Sequence, residues 1–149
     1  ALQEDVHRAV AELVKGLSGR RKVVFACREN ACRSQMAAAF ARLHGGDRLD
    51  VRSAGSQPSA EVNPVMVEAM QEIGIDMGFA TTASLSDALA EESPEAIVTM
   101  GCGEQCPVVP GVQRLDWDVP DPAGEEIDGM RRIRDQIEAK VNDYIRTCS

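Results

Sequence analysis

Lys22-Val23-Val24-Phe25-Ala26-Cys27-Arg28-Glu29-Asn30-Ala31-Cys32-Arg33-Ser34 carries the fold and the chemistry together. Lys22 to Ala26 is a short apolar run with the character of a buried strand, and Ser34 to His44 is an Ala-rich helical stretch. Cys27 is therefore expected on a strand-to-helix loop, with Arg33 at the helix start. Successive backbone N–H groups of such a loop converge with the free N–H groups of the helix terminus into an anion-binding nest. A cysteine at the edge of the nest has its thiolate favoured by the helix dipole and by Arg33. The Arg33 guanidinium can grip two oxygens of a tetrahedral oxyanion. A cysteine after a strand is more often a small buried hydrophobe. Strand, Cys-x5-Arg-Ser spacing and helix occurring together favour the nucleophile.

The same alternation continues outward. Residues 2–17 place Leu2, Val6, Val10, Leu13, Val14 and Leu17 at helical spacing, which predicts an amphipathic N-terminal helix in a segment, 1–20, outside the main domain 21–149. That segment is expected to be an appended helix, an oligomerisation element or part of a larger fusion. Leu49 to Ser53 is a second strand. Asn63-Pro64 starts a helix, as N-cap and first helical residue, that runs to about Ile73 before Gly74. A short helix over Leu85 to Glu91, strands at Ala96–Met100 and Val112–Trp117, and a closing helix over Ile127–Thr147 follow. Strands alternating with helices predict a four-stranded parallel α/β sheet with helices on both faces. Ligands of such sheets gather at the carboxyl ends of the strands, where the Cys27 loop lies.

Composition narrows the function. The 149 residues suit one domain with a sizeable core. Sixteen basic against 24 acidic residues give a net charge of −8, which argues against nucleic acid or an anionic membrane as partner. An anionic substrate must then be drawn in by a local positive site. No apolar run reaches membrane-spanning length and no signal-peptide pattern opens the sequence, so a cytoplasmic location is expected. Five cysteines without a secreted disulfide spacing suit catalytic, redox or metal-binding work.

Two of them, Cys102 and Cys106, follow the third strand in a Gly/Pro-rich loop. On a regular helix their Cβ atoms would stand roughly 5–6 Å apart, beyond the roughly 3.5–4.5 Å of a disulfide. The flanking glycines and Pro107 suit a segment that rearranges between two thiols and one disulfide. Cys-x3-Cys is also a permissible zinc half-site, but a structural site needs four ligands. His7 and His44 have no ligand-like spacing to it, and His44 reads as a cation capping a helix end. Asp121-Pro122, after the fourth strand, places a carboxyl group where it can act as general acid towards an oxyanion. Asp116 and Asp118 read as the solvated side of a strand end. Met66, Met70 and Met77 read as core, Cys148 as adventitious, and Cys32 as a small loop residue.

Cys27-x5-Arg33-Ser34, Ser53-Ala54-Gly55 and Asp121-Pro122 resemble the low-molecular-weight protein tyrosine phosphatase fold. Arg33-Ser34-Gln35-Met36-Ala37, the Cys102/Cys106 pair and Asp121-Pro122-Ala123-Gly124 resemble its arsenate reductase branch, the kind reduced by thioredoxin. The resemblance covers about residues 22–146. It implies that Cys27 attacks arsenate and Asp121 protonates the departing oxygen. Cys102 then attacks the Cys27–arsenic adduct, releasing arsenite, and Cys106 closes a disulfide with Cys102. It further implies that Arg28, Glu29, Asn30, Ala31, Cys32, Ser34 and Ser53 bind the oxyanion or brace the loop, and that no cofactor is needed beyond an external reductant. Ala38 stands where relatives with a structural potassium site carry glutamate, so no metal is expected. Two rival functions use parts of the same set. A tyrosine phosphatase needs Cys27, Arg33 and Asp121 but has no use for Cys102 and Cys106, and Pro122-Ala123-Gly124 supplies no aromatic wall for its substrate ring. A thiol-based arsenite sensor or carrier needs Cys27, Cys102 and Cys106 but neither Arg33 nor Asp121.

Overall fold

The computed structural model describes residues 20–91, 93–101 and 108–148. The expected helix over 2–17, with His7, and the Cys102/Cys106 pair lie outside the described residues. Four strands, β1 (Arg21–Cys27), β2 (Leu49–Gly55), β3 (Ala96–Thr99) and β4 (Gln113–Asp116), form one parallel sheet in the order β2-β1-β3-β4. The helices are α1 (Arg33–Gly45), α2 (Pro64–Gln71), α3 (Leu85–Glu91) and α4 (Ile127–Thr147).

β1 is central because it can be buried on both faces. Val23 and Phe25 enter one core while Val24 and Ala26 enter the other, the period-2 alternation of a strand. The first core is thick. Phe25 packs with Phe40 and Met36 of α1, Met66 and Met70 of α2, and Met130, Ile137 and Val141 of α4. Met77 joins it, so the three methionines are core residues as expected. Phe25 also meets Trp117 and Tyr144 at ring separations of 5.9 and 6.5 Å. Removing such a buried ring costs about 3–5 kcal/mol. The second core is thin: Val24, Ala26, Ala54 and Ile97 are covered by Leu85 with Ala88 and Leu89 of α3. Helices thus cover both faces, unequally.

Local chemistry sets the helix ends. Asn63 caps α2 as its sequence predicts, its Oδ1 accepting from Val65 N at 2.8 Å and Met66 N at 3.3 Å. α1 stops at Gly46, whose φ of +53° an L side chain resists. His44 departs from its expected capping role. Its ring stacks on Phe40 and its Nε2 lies 2.9 Å from Glu138 Oε2 on α4. Arg48 takes the carbonyls instead, donating to Gly45 O and His44 O.

Strand ends differ from the sequence reading by one or two residues. β1 runs through Cys27, which pairs in register with Gly55. β3 ends at Thr99, before Gly101 turns the chain with φ +87°. β1 and β3 are adjacent, and chain connections leave their carboxyl ends in opposite directions across the sheet. A crevice at that reversal is where open α/β sheets bind ligands.

Candidate active site

Cys27 closes β1 and is buried, with 2% of its surface exposed. The loop after it is held by its carbonyl groups. Ser56 N donates to Cys27 O, Gln57 N to Arg28 O at 2.7 Å, Ser59 N to Glu29 O at 2.9 Å, and Asn63 N to Ala31 O at 2.8 Å. The segment between β2 and α2 therefore takes up the loop's acceptors. Among the described residues the N–H groups of Arg28 to Arg33 meet no backbone or side-chain acceptor. Cys32, the N-cap of α1, offers no side-chain cap either. An uncapped helix start and a run of unpaired donors are the ingredients of an anion-binding nest.

Two features let the loop close so tightly. Asn30 adopts φ +53°, a left-handed conformation that asparagine tolerates better than most residues. Gly55 is pressed against the loop, where a Cβ would stand 2.8 Å from Arg28 O and Asn30 N.

The buried polar side chains beneath the nest have a determined polarity. Asn30 Oδ1 accepts from Ala83 N at 2.8 Å, which fixes the orientation of the amide. Its Nδ2 then donates to Ser34 Oγ at 2.7 Å. Ser34 Oγ lies 2.9 Å from Cys27 Sγ. With its oxygen accepting from Asn30, its hydroxyl proton is left available to the sulfur. Gln35 Nε2 ties the base together, donating to Asn30 O at 3.0 Å and Thr81 O at 2.9 Å.

Arg33 opens α1 and is buried. Its Nη1 donates to Val119 O at 3.2 Å, so the guanidinium is anchored from the loop after β4. Gly101 passes directly over it, where a Cβ would stand 3.0 Å from Arg33 Cζ. Cys27, Arg28, Glu29, Ala31, Arg33 and Asp121 line one depression of about 90 Å³, completed by Cys32, Asn63, Pro122 and Ala123. Asp121 Oδ1 accepts from Ala123 N at 3.0 Å. Among the described residues no aromatic side chain lines the depression.

Other expected residues fall elsewhere. Cys32 is a buried thiol directed at Met130 Sδ, 3.4 Å away. Burial, and then the neighbouring Cys27, push its pKa strongly up. Ser53 does not border the depression, contrary to expectation. It lines a separate cavity of about 440 Å³ beside α3, with Lys22, Asp50, Arg52, Ser84 and Asp87. That cavity is the larger of the two, yet it has no cysteine. Asp116 accepts from Thr99 Oγ1 and Arg114 Nε, so it serves the β3–β4 edge. Cys148 packs against the thick core.

Two residues of the site went unread in the sequence, Gly101 and Ala83, and Gly55 and Gln35 were read only as parts of motifs, without their contacts. Gly101 carried a usable signal, since it follows the apolar run Ala96–Met100. Ala83 carried none, because its contribution is a backbone N–H.

The family described as low molecular weight phosphotyrosine protein phosphatase matches residues 22–148. A glutaredoxin arsenate reductase of Synechocystis is 34% identical over 131 residues, covering 87% of this chain and 99% of the relative. Arsenate reductase 1 of Bacillus cereus is 35% identical over 135 residues, 88% and 98% of the two chains. Among solved structures, the thioredoxin-dependent arsenate reductase of Corynebacterium glutamicum superposes with a TM-score of 0.75 at 32% identity. The alignment covers 98% of this chain and 70% of that one.

Proposed function

The chain belongs to the low molecular weight phosphotyrosine protein phosphatase family, and from that premise we propose that it is an enzyme reducing arsenate to arsenite. The observation that carries the reading is the single depression joining Cys27, Arg33 and Asp121 above a run of unpaired N–H groups. Its size suits a free tetrahedral oxyanion. Relatives at about 35% identity over most of the chain are named arsenate reductases.

The Cys27 thiolate attacks arsenic, and one oxygen leaves as water with the proton of Asp121. Arg33 and the loop amides hold the remaining oxygens. The Cys102 thiolate then attacks the Cys27 sulfur. The sulfur–arsenic bond breaks with its electron pair going to arsenic, which departs as arsenite. Two thiols have supplied two electrons, now accounted for by a Cys27–Cys102 disulfide. Cys106 attacks Cys102, frees Cys27 and leaves a Cys102–Cys106 disulfide, which the dithiol of thioredoxin reduces. No metal or organic cofactor takes part in these steps.

Arsenate-dependent oxidation of reduced thioredoxin, followed through NADPH consumption with thioredoxin reductase, tests the proposal. The protein is expected to turn over, and Cys27→Ser to lose turnover while keeping its circular dichroism. A tenth of the parent rate in Cys27→Ser would remove the nucleophile assignment. Turnover with glutathione and glutaredoxin, but none with thioredoxin, would change the reductant and leave the chemistry standing. Fast hydrolysis of an aryl phosphate without thioredoxin oxidation would favour a phosphatase, the activity named in the family's description.

A further inference from the structure

The depression carries a second arginine that the reaction scheme leaves unused. Arg28 follows Cys27 directly and lines the same depression, but where Arg33 is buried, Arg28 is exposed at the mouth. It is held from two sides by one neighbour. Gln57 N donates to Arg28 O at 2.7 Å, and Arg28 Nε donates to Gln57 Oε1 at 3.3 Å. The partner is a neutral amide, so the side chain is steadied without loss of its charge. Arg21, Arg52, Arg114 and Arg131 each face a carboxylate. Among the described residues Arg28 has no carboxylate in ion-pair range, and neither of its Nη atoms meets an acceptor.

Charge balance makes this matter. The protein carries −8 overall, and beside Asp121, the proton donor, the depression holds Glu29 and the Cys27 sulfur that reacts as a thiolate. Arg33 alone would leave the mouth with more negative than positive side chains facing an arriving dianion. Arg28 brings the count to two against two and does so on the solvent side, where the anion first arrives. A cation at the mouth of a concave site raises the local concentration of an anion and its association rate. It contributes less to the chemical step, because it meets substrate and transition state with nearly the same charge.

We propose that the Arg28 side chain is a positioning residue that captures the inorganic oxyanion at the mouth and hands it to Arg33 and the loop amides. The proposal rests on the oxyanion-reducing assignment of the site, and the test separates the two. Alkylation of Cys27 by iodoacetamide, a neutral reagent, is timed in the full-length protein with increasing inorganic phosphate, which occupies an oxyanion site without redox chemistry. In Arg28→Gln the phosphate concentration giving half-protection is expected to rise by about tenfold, the scale of one charge-assisted hydrogen bond. The KM for arsenate should rise in parallel, with kcat within about twofold. Arg28→Lys, which restores the charge without the planar fork, should recover most of the loss. Added salt should weaken phosphate protection more in the parent than in Arg28→Gln. Equal half-protection in parent and Arg28→Gln overturns the role of Arg28 and leaves the Cys27 site intact. A loss confined to kcat overturns it as well. Failure of phosphate to protect even the parent removes the oxyanion site itself, and the proposal with it.

Discussion

The Ser34 hydroxyl stands 2.9 Å from the Cys27 sulfur while its oxygen accepts from Asn30, which leaves its proton available to the sulfur. The arrangement depends on the Ala83 N–H, 53 residues from Asn30, which orients the Asn30 amide. A sulfur that receives a hydrogen bond is stabilised as the anion, and the anion is the nucleophile.

Ser34→Ala should therefore slow alkylation of Cys27 at neutral pH by roughly tenfold or more, since a hydrogen bond to a charged group contributes about 1.5–3 kcal/mol. Thermal stability should change little, as only one oxygen is removed. Equal alkylation rates in parent and variant would mean that the hydroxyl does not act on the sulfur.

Arg33→Lys keeps the charge and loses the fork that a planar guanidinium offers. Turnover should fall on the order of 10²–10³, the cost of losing one preorganised donor. The measurement is arsenate-dependent kcat/KM with thioredoxin. Parent-like kinetics would reduce Arg33 to a residue that merely opens α1.

Gly101→Ala meets two obstacles at once, a φ of +87° and the Arg33 guanidinium, whose Nη1 the new Cβ would overlap and whose Cζ would lie 3.0 Å away. A left-handed backbone alone costs about 1–2 kcal/mol for a side chain. Denaturant unfolding should show a loss of that size, with weakened phosphate protection of Cys27 as Arg33 is displaced. Stability loss without weaker protection would separate the backbone effect from the arginine.

Cys106→Ser should complete one turnover and then stall with a Cys27–Cys102 bridge. Cys102→Ser should stall earlier, with arsenic still on Cys27. Peptide mapping after one equivalent of arsenate reads both states. Multiple turnovers by both variants with thioredoxin would reject the relay and bring the phosphatase reading forward.

The clamp between α2 and α4 predicts a pH dependence. Hydrogen bonds from Arg131 hold the Glu72 carboxyl below its usual range, with Arg134 adding to the effect. A carboxylate with a depressed folded-state pKa stabilises the fold above its unfolded value of about 4.3. That contribution disappears as pH falls through the folded value. Glu72→Gln should thus be less stable than the parent at pH 7 and indistinguishable from it near pH 3, by denaturant unfolding. A difference that persists at pH 3 would assign it to packing.

The order of strands and helices along the chain, the Asn63 cap, the Cys27 loop, Arg33 and the closing helix were all legible in the sequence. Each depends on residues within one or two turns of one another, so spacing and residue type are enough to encode it. Ser34 reaching Cys27 is of this kind, seven positions apart on one loop and helix start. Tertiary structure decided the rest: the orientation of the Asn30 amide through Ala83, the anchoring of Arg33 on Val119, and the pressure of Gly101 on its guanidinium. It also moved Ser53 to the other cavity and turned Cys32 towards Met130. These relations join backbone groups or strand ends far apart in the chain. An unpaired N–H or a carbonyl is the same in every residue, and only folding determines which of them meet.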